Sequence, residues 1–538
     1  MRGNVDFNEA GRIVSPEELP RQDRQGRDPH HPVAGPSPDR CPRSWTLPPL
    51  SSGSVTCSVS SRTGWFLGSP PTGTRGDLSS HPYSDITPKP ALYFLSAQWT
   101  RPPDLEDDPH DRITAESSMT DDQYLLVPSY YAEHGYPHDA WARLRRDDPV
   151  HRVEDWDGPP YWALTRCAEI IHVSKAPGIF ENAPRMNMEP GGVDPGKAIR
   201  SLLVMDPPEH QKLRALTSKR FTPGAMRQIL GGVDEITSQV LDLASTGGEI
   251  RETDFVESIA ARIPIWVIAE MLGVSPDDWE QLYDWTNEAV GASDPEFQAG
   301  RSEEETRATA IMAMAGYFKE LSEQRKRDPR DDLISLLVHA EVDGQPLSEL
   351  DLMSYYITLL SAGNETTRNA ISGGLLQLIE HPDQLARLRR EPELLDGFIE
   401  ETLRFVSPVI HMCRTPNRDV ELDGKKIAAG EPLVLFYPSA NRDETVFDQP
   451  NRFDIGRSPN PHLAFGIGEH FCLGTHVARL ELRAVFRHLI ARLQHVELVE
   501  PPTRLAHAIV GGIKHLRVRY AIADRKFKAG FGATSESG

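Results

Sequence analysis

The chain is poor in cysteine, has no long apolar run and carries no excess of positive charge. Five cysteines (Cys41, Cys57, Cys167, Cys413 and Cys472) are scattered over 538 residues with no CxxC pair, which removes the spacing of a zinc ribbon or a ferredoxin-type cluster. An isolated thiol in such a chain is by default a small buried hydrophobe, so a functional claim for any of the five must come from its surroundings. No stretch of about 18 apolar residues occurs, so no membrane span is expected. The first residues also lack the apolar core of a signal peptide, which makes the cytoplasm the expected location. A net charge of −21 argues against non-specific nucleic-acid binding.

Proline is abundant but uneven: 17 of the 45 prolines fall in residues 1–118. The stretches Pro32–Pro49 and Ser51–Arg75 have no sustained apolar periodicity, the composition of a chain that cannot bury a core. Residues 1–118 are expected to be a disordered extension, or to stem from translation assigned from too early a start codon. The folded pattern begins at Met119, and residues 119–538 are expected to form the catalytic domain. Within them, Met226–Leu243, Ser258–Leu272, Glu303–Arg325, Asp351–Ile379 and Cys472–Leu493 have helical periodicity. Tyr161–Leu164, Val420–Leu422, Pro432–Phe436 and His515–Tyr520 read as short strands. The expected fold is mainly α with small β-sheets, without internal repeats.

The segment PHLAFGIGEHFCLGTHVARLELRAVF, Pro461–Phe486, sets Cys472 after a glycine-rich loop and at the start of a long amphipathic helix. A helix N-terminus has unpaired N–H groups and partial positive charge, both of which favour thiolate over thiol. Gly466 and Gly468 allow the loop to approach a flat ligand, and Gly474 allows tight packing after it. A dinucleotide fingerprint fails here, because Phe471 stands where its third glycine belongs.

Phe465, Gly468, His470, Cys472 and Gly474 match F-x-x-G-x-[H/R]-x-C-x-G, a coincidence expected in on the order of one chain in 10⁴ at average residue frequencies. In this the chain resembles the cytochrome P450 superfamily, in particular its soluble bacterial, actinobacterial-type members. The resemblance implies a triangular prism of helices, with haem b between a long central helix and the helix that follows the cysteine loop. It makes Cys472 the proximal iron ligand, whose electron donation favours O–O cleavage. It makes His470 a contact of a haem propionate, and Phe465 a neighbour packed on the cysteine loop.

Further segments fall in family order. SAGNETTRN inside Asp351–Ile379 reads by itself as a tolerated polar kink, since glycine in a helix costs about 1 kcal/mol relative to alanine. Its Ala362–Thr367 portion is similar to the family's oxygen motif, with Thr366 hydrogen-bonding dioxygen and Glu365 relaying protons; many members carry Asp at that acid. Glu401 and Arg404 share a helix face and alone suggest a surface ion pair; the resemblance makes them a structural E-x-x-R pair joined by an arginine from a meander similar to Asn451–Arg457. His210 and Arg214, four apart, read alone as a solvated face. By resemblance they bind the propionates together with Arg414, a sound arrangement because charge-assisted hydrogen bonds are the stronger ones.

The implied reaction inserts one atom of O₂ into a hydrophobic small molecule, with terpenoids, steroids and branched lipids the expected class. With no reductase domain in the sequence, a separate ferredoxin and ferredoxin reductase are the expected donors, and Lys212, Lys219, Arg220, Arg479 and Arg483 form a basic cluster that could steer an acidic partner. Asn187, Ser354–Ala362, Val409–Met412 and Ile509–Gly512 are the expected pocket segments. Two other readings stay open: a peroxide-driven peroxygenase, against which the Glu365–Thr366 pair argues, and a non-catalytic haem sensor or ligand carrier.

Overall fold

A computed structural model describes residues 122–189 and 200–524; the expectation for residues 1–118 lies outside them. The described residues form a mainly helical body with small sheets, and most elements stand where the periodicity put them. The differences have local causes. Val256–Ala260 winds as a wide π turn before regular helix begins at Arg262. Asp254 holds this start by accepting the Val256 N–H at 2.9 Å and the Ser258 hydroxyl, so side chains compete with the helical ladder there. The helix after the cysteine begins at Thr475 rather than Cys472, and the Cys472 N–H is given to the Phe465 carbonyl at 3.0 Å. His515–Tyr520 is not one strand. Ile513–His515 pairs with Thr503–Arg504, whereas Arg517–Ile522 pairs with Leu493–Leu498 and Arg251–Asp254; between them the Leu516 N–H turns to Asp254 Oδ1.

The central helix, Glu349–Glu380, runs for 32 residues from a Ser348 cap. From Asn364 to Leu378 every residue except Thr366 is buried, as expected for a helix packed on all sides. SAGNETTRN does not interrupt it. Its glycines serve packing instead. A Cβ on Gly363 would lie 3.3 Å from Ile268, and on Gly373 and Gly374 2.7 Å from Val406 and Phe486. The propensity lost at those positions is offset by the close approach of helices Arg262–Leu272, Leu395–Val406 and Thr475–Arg492. The cysteine-loop helix is thereby fixed directly against the central one.

A five-stranded mixed sheet has the order Val150–Val153, Tyr161–Leu164, Leu433–Phe436, His411–Pro416, Phe180–Glu181. One large apolar core surrounds the central helix, and two smaller ones cover the faces of this sheet. Among the described residues, no helix is long and apolar enough to cross a membrane.

Candidate active site

The cysteine loop is pinned at several points. Gly466 and Gly468 both take left-handed φ, of 66° and 83°. At Gly468 a Cβ would sit 2.2 Å from the Ser174 carbonyl oxygen, so only glycine lets the loop close on the helix Cys167–Ser174. Asn441 accepts the Leu463 N–H at 2.6 Å, and the Phe471 N–H returns to the Gly468 carbonyl at 3.1 Å. Phe465 lies beside Cys472 as expected, beneath the Arg479 guanidinium at 4.6 Å from the ring centre. Gly474 is the cap residue of the following helix and donates its N–H to the Cys472 sulfur. Burial nonetheless raises the thiol above its ordinary pKa, against the opposing pull of Gly474, Arg214 and Arg479. Cys167 and Cys413 are ordinary buried thiols, both pushed up to about 12 by burial.

Beside this loop four basic side chains converge. The rings of His210 and His470 stack with centres 3.9 Å apart. Burial, then His210, Arg414 and Arg214 push His470 down to about 2; burial and Arg214 lower His210. His210 Nδ1 and His470 Nε2 are buried without a partner. Arg214 donates to the Phe471 carbonyl next to Cys472, and Arg414 to the Cys413 carbonyl. Glu469, the nearby acid, is taken up by Gln211 at 2.9 and 3.0 Å. Buried polar atoms are normally satisfied, and like charges repel. The cluster therefore has the donor set and charge of an anion receptor, and two carboxylates such as haem propionates fit it.

On the central helix, Ala362 is exposed and Gly363 and Thr366 are half-buried within a buried neighbourhood. Thr366 donates its hydroxyl to the Ala362 carbonyl at 2.9 Å. Glu365 is not its immediate partner. The carboxylate is buried against Arg368, with the Asn364 amide at 3.3 Å from its other oxygen, and Arg368 reaches Asn287 at 2.8 Å. Burial raises Glu365 and Arg368 opposes the rise. Arg368 and Asn287 escaped sequence reading because their function appears only when helix Trp279–Val290 packs on the central one.

Glu401 and Arg404 are wholly buried, not on the surface. Arg457, the last residue of the meander, supplies the third member at 3.1 Å. The basic cluster is largely paired within the chain. Lys212 pairs with Asp343, Arg220 with Asp331, Arg479 with Glu400 and Arg483 with Asp396; among the described residues only Lys219 of the five has no ion pair. Burial raises Glu400, but Arg479 and His462 outweigh it and hold the carboxyl at about 2. Glu400 and His462 thus brace the cysteine loop, a role no motif announced. Of the pocket segments, Val409 bridges to Val510, and Gly512 abuts Asn369 of the central helix.

The cytochrome P450 family model matches residues 298–516. The linalool 8-monooxygenase of Pseudomonas putida is 37% identical, over 73% of this chain and 98% of its own. The methyl-branched lipid omega-hydroxylase of Mycobacterium bovis is also 37% identical, over 71% of this chain and 90% of its own. Among solved structures, a Mycobacterium marinum cytochrome P450 in complex with pseudoionone is 34% identical with a TM-score of 0.68, covering 73% of this chain and 97% of that one.

Proposed function

Because the chain belongs to the cytochrome P450 family and is a haem-dependent monooxygenase, we propose that it hydroxylates an apolar, branched small molecule of the terpenoid, steroid or methyl-branched lipid class. Residues 119–538 are the proposed catalytic domain, haem b the proposed cofactor and the cytoplasm the proposed location. The single observation that carries the site is the stacked His210–His470 pair, with two unpartnered ring nitrogens between Arg214 and Arg414.

In this reading Cys472 would hold the haem iron through its thiolate, and His210, His470, Arg214 and Arg414 would receive the two propionates. Gly466, Gly468 and Gly474 keep the loop close enough for the ligand plane, and Phe465 with Arg479 stiffens it. When bound, the haem activates O₂ so that one atom enters the substrate and the other leaves as water, with two electrons and two protons consumed. Thr366 Oγ1 orients the oxygen side of the site and passes on a proton. Glu365 holds that proton in reserve and exchanges it by leaving Arg368. The apolar pocket segments exclude water from the reacting carbon. A separate ferredoxin with its reductase is the proposed electron donor. The exposed Phe471 beside Cys472 supports a docking surface on that side.

The test is a reduced carbon-monoxide difference spectrum of the purified protein, followed by spin-state titration with linalool and with a terminally methyl-branched fatty acid. A red-shifted, thiolate-type Soret band and a low-to-high-spin shift are expected. Absence of the band from haem-loaded protein sinks the assignment of Cys472.

A further inference from the structure

His411 is completely buried at the first position of strand His411–Pro416, the strand that also carries Arg414. Its ring does what backbone does on either side of it. Along one edge, the Cys413 N–H reaches the Met186 carbonyl at 2.7 Å, but two residues on the Met188 N–H meets His411 Nε2 at 3.1 Å. Along the other, the Ile410 N–H reaches the Ile509 carbonyl at 2.8 Å, but the Ala508 carbonyl meets His411 Nδ1 at 2.9 Å. A backbone N–H only donates and a carbonyl only accepts. The ring must therefore accept at Nε2 and donate at Nδ1, which fixes one neutral tautomer.

Of the two segments joined by this ring, the one that contains Ala508 leads to the central helix. Val510 bridges to Val409, and the Gly511 N–H bonds the Pro408 carbonyl at 2.8 Å. A Cβ on Gly511 would overlap Tyr136, and one on Gly512 would overlap Asn369, three residues beyond Thr366. The strap Ala508–Gly512 is thus wedged between the His411 strand and the helix turn that bears Thr366. Its other flank is also tied: the Ser293 hydroxyl donates to the Ala506 carbonyl at 2.8 Å, and the Ile509 and Val510 N–H groups share His507 Nδ1. With its ends held, the strap's spacing from Met186–Met188 is set by the width of one imidazole.

We propose that His411 is a positioning residue for substrate, a spacer that sets the distance between the Met186–Met188 segment and the Ala508–Gly512 strap and so selects which carbon of a branched chain reaches Thr366. The proposal rests on the monooxygenase reading above. Burial pushes the ring down to about 4, in keeping with the neutral tautomer that the two backbone bonds require.

The experiment compares the wild-type holoprotein with His411→Phe, which keeps a ring but neither bond, and His411→Asn, which can keep only one. Titration with the terminally branched fatty acid should show a weaker spin-shift Kd, by about fivefold or more for the Phe variant, the scale of a lost buried hydrogen bond. Hydroxylation should spread from one carbon to several. The thiolate-type Soret band should be retained, and hydrogen exchange at the Met188 amide should accelerate. Unchanged Kd and regiochemistry in both variants overturn the proposal; if the Phe variant does not fold, the Asn variant decides. A wild-type protein without the thiolate band overturns the monooxygenase reading instead, and Met188 exchange still tests the spacer.

Discussion

Arg457 bonds both carboxylate oxygens of Glu401, at 3.1 and 3.2 Å, while Arg404 holds the same two oxygens at 2.8 Å. The Asp454 N–H and the Asn460 amide add bonds of 2.9 and 3.1 Å. Arg404 also donates to the carbonyls of Asn441, Pro450 and Arg452. One buried carboxylate therefore ties helix Leu395–Val406 to the meander that leads into the cysteine loop.

Removing one member of such a group leaves charge buried without its counter-charge. Arg404→Ala is expected to lose about 3–5 kcal/mol of unfolding free energy, read from urea transitions, and to yield little haem-loaded protein. The double variant Glu401→Gln/Arg404→Met should lose less than the sum of the two single changes. Additivity within experimental error would show that the pair is not coupled.

Thr366→Ala should leave stability within about 1 kcal/mol of wild type, since the hydroxyl bonds only a carbonyl of its own helix. Its effect should appear in coupling, with fewer product molecules per electron pair and more peroxide. Unchanged coupling would remove Thr366 from proton delivery.

Glu365 is raised by burial and opposed by Arg368. A carboxyl with a raised folded pKa contributes stability that is fully present below its unfolded pKa and lost as pH rises through the folded one. Glu365→Gln should therefore leave stability at neutral pH unchanged or higher, while slowing turnover and increasing its solvent isotope effect. Arg368→Met should lower stability more than Glu365→Gln does, because it strands the carboxylate. An unaltered isotope effect in Glu365→Gln removes the proton-holding role.

His515 is raised as well, but by charge rather than by burial. Burial lowers it, but Asp254 and Glu296, bonded to its two ring nitrogens at 2.5 and 2.9 Å, outweigh burial and raise it above 6.5. Its contribution is complete below the unfolded value of about 6.5 and is lost as pH rises through the folded value. Melting temperature should fall over that window in the wild type and stay flatter in His515→Gln. Parallel curves for the two proteins would sink the assignment.

Four of the five cations expected to steer a redox partner already have carboxylate partners. Lys219→Glu should slow reduction by an acidic ferredoxin about threefold or more at low salt, and Arg483→Gln less than twofold. Stopped-flow reduction measures both. Equal effects would mean that the pairing of Arg483 with Asp396 does not screen it.

Much of the site was legible without coordinates because its chemistry is encoded locally. The glycines of the cysteine loop, the 3.6-residue periodicity of the central helix, and the His210/Arg214 and Glu401/Arg404 spacings depend on residues near one another in sequence. Packing decided the rest. Whether Glu401 and Arg404 lay on the surface or in the core depended on Arg457 and Asn460 folding over them. Whether the glycines within Glu349–Glu380 would bend the helix depended on Ile268, Val406 and Phe486 occupying the space of a missing Cβ. Whether Lys212, Arg220, Arg479 and Arg483 were free to meet a partner depended on acids far along the chain. The sequence alone determined that Cys472 stands in a glycine-rich loop matching the cytochrome P450 signature. Only the tertiary structure decided the charge and hydrogen-bonding surroundings of that loop, because charge pairing and burial are set by residues distant in sequence and adjacent in space.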